Sequence, residues 1–258
     1  YSSMLRRQRQ RLHRRIVNAL ENNFSEIVLT QPDMVARHCA SAQLTEKAIA
    51  YWLKAGNLAQ SRAAMTEAAT AFGEGLQLLG DLRDGCDRDR IELELKLALS
   101  RSEIATKGYA AQGVGEALTE ARRLCERLAH PPELVSVLYG LWTHALMRTE
   151  LRQAEQVAEE ILRLGQARRI GVWTARGCRL AGLTCIARGQ YEAARRHLER
   201  GLELYDPGES GRRSSLILYD PQVMLRTGRG SAVCARGVVE RARGGARAAL
   251  AEGRRSKH

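Results

Sequence analysis

The chain has 258 residues, a formal net charge of +12, 44% apolar residues and 5% aromatics. An apolar share near the globular norm excludes wholesale disorder, and the length allows a sizeable core. No apolar run reaches the roughly 18 residues of a membrane span and no signal peptide opens the chain, so a cytoplasmic, membrane-free location is expected.

The elements follow in chain order. Residues 4–20 place Leu5, Leu12, Ile16 and Leu20 on one helical stripe, with Arg6, Arg7, Arg9, Arg11, Arg14 and Arg15 elsewhere around the wheel. Asn22, Asn23 and Ser25 interrupt the pattern. Pro32 suits a first helical turn and predicts a helix to about Ala42. Thr45 and Lys47 open the next segment, Ala48 to about Gly56. Helices of about 12–20 residues then alternate with short breaks. The breaks are expected near Gly80–Asp87, Lys107–Gly113, His130–Pro132, Arg148–Leu151, Arg168–Gly171, Gly189–Gln190 and Asp206–Ser214. No sustained alternating β-branched segment occurs, and 5 Pro among many Ala, Leu, Arg and Glu agree with an all-α chain.

The same intervals recur along it. Trp52, Gly56, Ala68, Phe72, Gly75 and Leu76 are spaced four, twelve, four, three and one apart, and so are Cys178, Gly182, Ala194, Leu198, Gly201 and Leu202. Leu138, Trp142, Ala154, Ala158, Ile161 and Leu162 keep the spacing with Trp142 in place of the first Gly, and Glu116–Cys125 repeats the second half weakly. Mechanically, a small residue on the first helix (Gly56, Gly182) admits the returning helix, a second one (Ala68, Ala194) faces it, and Phe72 or Leu198 fills the space between hairpins. With the stretch from Gly189 through Tyr191 to Pro207, these intervals resemble the tetratricopeptide repeat. The resemblance implies a superhelix of helical hairpins. The copies lie about 40–43 residues apart against the usual 34 or so, which suggests elongated helices.

Three strings carry a second resemblance: SSMLRRQRQRLHRRIVNALE, QPDMVARHCASAQLTEKAIAYWLKAG and ATKGYAAQGVGEALTEARRLCERL, at residues 2–21, 31–56 and 105–128. In that order they are similar to a bacterial family of large signalling proteins, in which a class III adenylate/guanylate cyclase domain is followed by an AAA-like ATPase and a tetratricopeptide tail. The likeness covers about residues 1–225. It implies that residues 1–24 are a basic linker helix closing an absent ATPase module, that residues 25–225 are the repeats, and that the chain is a sensor or docking arm whose partners include those domains in cis. A chain that begins at Tyr1 rather than Met agrees with its being a piece of something longer.

The charge is unevenly placed. Residues 1–20 carry six Arg and no acid, and residues 226–258 carry a net +7, which leaves −1 for residues 21–225. The tail is Arg, Gly or Ala at 21 of 33 positions, and Gly228-Arg229-Gly230 and Gly244-Gly245 interrupt any helix. It reads as the product of a frameshift in a GC-rich gene, or alternatively as a disordered basic arm for RNA or DNA. An array ending there would expose Leu216, Ile217, Leu218 and Val223.

Catalytic and metal motifs are wanting. There is no P-loop, no dinucleotide fingerprint and no paired Asp segment of a class III cyclase, and no cofactor is implied. Asp81, Asp84, Asp87 and Asp89 interleave with Arg83, Arg88 and Arg90 and read as a solvated turn. Cys178 and Cys185, seven apart on one helix face, read as core thiols, and His38-Cys39 lacks further residues at ligand spacing. Trp52 and Trp142 fall at packing positions, leaving Trp173 apart.

The expected activity is therefore binding of a protein or peptide, without catalysis. The first helices of the hairpins would line the groove, with Asn57, Gln60, Tyr139, Thr143, Arg176 and Arg179 as its residues and the two arginines holding an acidic segment. The alternatives are the repeat region of an ATPase-type transcriptional regulator, or nucleic-acid binding through the basic ends.

Overall fold

The computed structural model describes residues 6–204. The expectations for the 226–258 tail, for the break near Asp206 and for Leu216, Ile217, Leu218 and Val223 lie outside them. The described residues form eleven α-helices and no strand, as the sequence leads one to expect. They fall into two compact units, divided between Pro131 and Pro132.

The first unit holds α1 (Arg6–Asn23), α2 (Ser25–Thr30), α3 (Pro32–Ser41), α4 (Thr45–Ser61), α5 (Met65–Gln77), α6 (Cys86–Lys107) and α7 (Gln112–Arg127), with a 3-10 turn at Leu78–Asp81. The second holds α8 (Leu134–Met147), α9 (Leu151–Arg168), α10 (Gly171–Ala187) and α11 (Tyr191–Glu203). Pro32 does occupy the first turn of α3, where its missing N–H is no loss.

The recurring small residues are points of closest approach. A Cβ added to Gly56 would lie 2.2 Å from the Phe72 ring, and one added to Gly182 would lie 2.6 Å from Leu198 Cγ. Ala68, Ala154 and Ala194 are fully buried on the returning helices, and Gly201 is buried with them. Phe72 does more than fill the space between hairpins. Its ring lies flat against Gly56 inside its own hairpin, and it also shares a core cluster with Leu95 and Ala98 of the next helix, α6. Trp142, which replaces the glycine in the third copy, is buried and turns to α10, where its Nε1 donates to Thr184 Oγ1 at 2.9 Å. Tyr191, at the start of α11, is only half-buried.

The twelve-residue interval occurs once more, unremarked by the repeat pattern. Gly165 on α9 and Gly177 on α10 are also twelve apart. Added Cβ atoms there would meet the Thr174 backbone at 2.4 Å and the Leu162 backbone at 2.6 Å. Successive hairpins in the second unit are thus packed backbone to backbone, as tightly as the helices within one hairpin.

Helix α4 runs to Ser61, well past the expected end near Gly56, and the turn after it has neither Gly nor Pro to announce it. A common backbone device explains this. In five turns one residue is left-handed: Gln43, Ala63, Thr149, Arg169 and Gly189, with φ between 55° and 74°. The next N–H then reaches back over five residues, from Leu44 to Cys39, Ala64 to Ala59, Glu150 to Ala145, Ile170 to Gly165 and Gln190 to Cys185, at 2.8–2.9 Å. This is the Schellman closure, which satisfies carbonyls that a helix end would leave open. Only Gly189 enters the left-handed region without steric cost.

Helix α1 packs against α3 and α4. Val17, outside the expected stripe, is its fully buried residue and joins Val35, Ala36, Cys39, Ala48 and Tyr51 in one cluster, with Leu20 against its edge. Leu12 stays 38% exposed and Ile16 is half-buried. Glu21 finishes the docking: its carboxylate accepts from Lys47 Nζ at 2.8 Å and from the Tyr51 hydroxyl at 3.0 Å. The stripe read as awaiting an absent module is therefore partly spent on α3 and α4 of this chain.

Two stability changes follow. Gly56→Ala forces the Phe72 ring out of its place and is expected to cost about 1–3 kcal/mol, with Phe72→Leu recovering part of the loss in the double variant. Ala63→Gly relieves a left-handed alanine and is expected to stabilise by about 1 kcal/mol. Urea denaturation followed by helical circular dichroism measures both.

Candidate functional site

Four of the six residues expected to line a groove lie in the second unit, and the structure brings three of them into contact. Tyr139 and Thr143 are one turn apart on α8, while Arg176 and Arg179 are three apart on α10. The Arg179 guanidinium lies over the Tyr139 ring at 5.6 Å from its centroid, and Tyr139 stacks on Trp142 at 6.1 Å. The Trp142–Thr184 hydrogen bond ties the same two helices together. Tyr139 is thereby clamped between an indole and a guanidinium. The hydroxyl of Thr143 donates back to the Tyr139 carbonyl at 2.9 Å.

Burial sets the electrostatics here. Arg179 is 5% exposed and Arg176 is half-buried. Desolvation pushes the Arg176 guanidinium down to about 10, with the charge of Arg179 acting in the same direction and Tyr139 against it. Desolvation likewise lowers Arg179, again opposed by Tyr139. Of these two like charges, Arg179 is held by the Tyr139 ring and its hydroxyl.

Asn57 and Gln60 belong to the first unit and differ from each other. Asn57 is exposed on α4. Gln60 is committed to packing: its Nε2 donates to the Ala98 carbonyl and to Ser102 Oγ of α6, both at 2.9 Å. A cleft of about 650 Å³ opens nearby, lined by Asp33 and Arg37 of α3, Trp52 of α4 and Glu67 and Glu74 of α5. Sequence reasoning missed it because it forms where three consecutive helices diverge and carries charges of both signs. Arg37 spends its charge on Asp33 at 3.0 Å and lies 6.0 Å from the centroid of the Trp52 ring.

The remaining candidates resolve into packing and surface pairs. Cys39, Cys178 and Cys185 are buried. Desolvation raises all three thiols, Cys39 to about 11, which keeps them from acting as thiolates. In the acidic turn Asp84 pairs with Arg88 at 2.8 Å, and Asp89 takes both arms of Arg127 at 2.9 and 2.6 Å. Trp173 is half-buried, with the Arg168 guanidinium 5.3 Å from its ring centroid. His38 meets His13 of α1, Nδ1 to Nδ1 at 2.8 Å. Among the described residues no group of three or more His, Cys, Asp or Glu is placed to hold a metal, and no helix is long and apolar enough to cross a membrane.

No protein-family model matches the chain. Over 144 residues it is 27% identical to the uncharacterised protein R02095 of Rhizobium meliloti (strain 1021), a match spanning 55% of this chain but 14% of that protein. Solved structures are similar in fold. The apo form of RapI superposes with a TM-score of 0.63 at 13% identity, covering 96% of this chain and 71% of that one. A Podosopora anserina putative kinesin light chain with nearly identical TPR-like repeats gives 0.59 at 15% identity, covering 80% and 96%. NprR in complex with its cognate peptide NprX gives 0.56 at 10% identity, covering 88% and 63%. At these identities the likeness concerns the fold, which is that of a TPR-like helical repeat protein.

Two half-buried histidines make stability depend on pH. Desolvation, and then the His13 charge, lowers His38 from its ordinary 6.5. Desolvation, and then Arg196 and Arg200, lowers His197 against the pull of Glu159. The unfolded chain therefore binds protons before the folded one does. Stability is expected to be full above about pH 6.5 and to fall as the pH drops below it. The carboxylates of Glu21 and Asp89, held down chiefly by hydrogen bonds from Lys47 and Arg127, lose their contribution only at more acid pH. Melting temperatures from pH 8 to 5 check this, and His38→Gln should flatten part of the slope.

Proposed function

We propose that the chain is the partner-binding repeat arm of a larger bacterial signalling protein, and that it acts by holding a peptide or protein segment rather than by catalysis. The observation that carries this reading is the surface shared by α8 and α10. There Arg179 lies over Tyr139, Arg176 stands three residues before Arg179 on α10, and the Trp142–Thr184 bond holds the two helices in register. An aromatic ring locked between neighbours, beside two guanidinium groups, is the combination found at binding hot spots. It offers apolar area at little entropic cost together with charge-assisted donors. NprR, similar in fold, has been solved in complex with its cognate peptide NprX, which supports a peptide as the partner.

The larger context is proposed on two supports. One is the resemblance of residues 1–225 to the arm of cyclase–ATPase signalling proteins. The other is the curated relative, of which this match spans only 14%. In that context the exposed arginines of α1, among them Arg11, Arg14 and Arg15, face a domain in cis.

The test uses the full chain as bait against a partner identified with the wild type. Arg176→Glu/Arg179→Glu is expected to weaken capture on the order of tenfold or more, while Asn57→Ala, on the first unit, leaves it unchanged. Retention of every partner by the double variant would sink the reading. For the parent protein, the gene is expected to encode an ATPase module in frame upstream of Tyr1, and a different upstream domain overturns that part alone.

A further inference from the structure

Arg176 and Arg179 present an imbalance that nothing else among the described residues shares. Three guanidinium groups are lowered by burial: Arg101, Arg176 and Arg179. Arg101 has the carboxylate of Glu94 to oppose the effect. Arg176 and Arg179 make no ion pair among the described residues: Arg179, 5% exposed, lies over the Tyr139 ring at 5.6 Å from its centroid, and Tyr139 is the group that opposes the lowering of both. Two acids on α9, the helix packed most closely on α10, are directed elsewhere: Glu155 pairs with Arg188, and Glu159 acts on His197. A buried cation without a counter-charge is costly, and proteins resolve that cost by pairing it.

The donors are nevertheless open to a ligand. Among the described residues no side-chain nitrogen or oxygen is both sealed from solvent and unbonded. The half-buried Arg176 guanidinium therefore keeps contact with water. The site thus offers two positive charges on one helix face, a tyrosine hydroxyl on the adjoining helix, and low-dielectric walls that strengthen any bond made there.

We propose that Arg176, Arg179 and the Tyr139 hydroxyl form a binding site for a dianionic phosphomonoester carried on the partner peptide. This rests on the partner-binding reading and narrows it. The choice of anion follows from charge and from oxygen count. A single carboxylate has two oxygens, both taken by the fork of one arginine, and one negative charge, so it leaves the second guanidinium uncompensated. A phosphoryl group carries about −1.5 to −2 at neutral pH and three acceptor oxygens, enough for both arginines and the hydroxyl.

The experiment uses the full chain, with calorimetry and thermal unfolding at fixed ionic strength. The probes are inorganic phosphate and a capped alanine pentapeptide with phosphoserine, serine or glutamate at its centre. Phosphate is expected to raise the melting temperature of the wild type above its value in chloride. The phosphoserine peptide is expected to bind at least about tenfold tighter than the serine or glutamate peptide, as charge-assisted bonds to a dianion require. Arg176→Met and the milder Arg176→Gln should lose these responses. Without anion both should melt no lower than the wild type, since they remove an uncompensated charge.

A phosphate response equal in wild type and variants would be the general salt effect on the folded state, and it would overturn the proposal. So would a wild type with no response, or variants that melt lower yet respond as before, which would make the arginines structural. Equal binding of the three peptides, lost in the variants, overturns the phosphate assignment but leaves the partner-binding arm standing. Inorganic phosphate binding without any preference for the phosphoserine peptide overturns the peptide source in favour of a free anion.

Discussion

The structure depends on how closely one helix can approach the next. At Gly56, Gly182, Gly165 and Gly177 there is no room for a single added carbon, because a side chain or the backbone of the neighbouring helix already fills the space. Close approach brings the whole length of each helix into contact, so that short helices bury enough surface to offset their ordering. It also fixes orientation. A glycine facing an aromatic ring or a backbone has one depth of seating, and the residues a turn away are delivered to defined positions. Tyr139 and Arg179 meet because α8 and α10 are each anchored against α9, and Trp142 then bridges the gap to Thr184.

Seen this way, Trp142 is less an irregular member of the repeat than a change of partner. Where the other copies have a glycine that admits the returning helix, α8 carries an indole that reaches along to the next first helix. Its ring supports Tyr139 from one side, and its N–H finds Thr184 on the other. A buried indole N–H without an acceptor would cost about 1–3 kcal/mol, so Thr184 and Trp142 depend on each other. A packing substitution in one hairpin thus creates the rigid wall of a surface shared by two.

What the sequence discloses follows from which interactions leave a periodic trace. The hairpins were legible because Gly56, Ala68, Gly182 and Ala194 recur at fixed intervals, and small residues at fixed intervals mean contact. The Gly165–Gly177 pair obeys the same twelve-residue rule but links two hairpins, so a search within hairpins passes over it. The turn at Arg62–Ala64 was hidden because Ala63 takes a left-handed conformation that alanine rarely adopts, held there by the Ala64–Ala59 bond rather than by its own preference. The docking of α1 was hidden for a similar reason. The residue that seats it, Val17, lies beside a face of exposed arginines (Arg7, Arg11, Arg14, Arg15), and its stripe is too narrow to distinguish a partner within the chain from one beyond it.

Arg176 and Arg179 were visible as groove residues, but not as a charge imbalance, because a count of charges along the chain conceals it. Residues 21–225 sum to −1, which suggests that every cation has an acid to meet. Many do: Arg88, Arg127, Arg188 and Arg195 each reach a carboxylate. Those pairs sit at the rims of helices, where they are partly screened and contribute little. The two arginines on α10 are largely withdrawn from water, where compensation would matter most, and there Glu155 and Glu159 of α9 are directed to Arg188 and His197. A near-neutral body with paired charges at its edges and an unpaired doublet inside has placed its positive potential where a low dielectric preserves it. Such an arrangement lowers the stability of the empty fold and favours an anion by the same physical term, so an anion bound there would offset the cost.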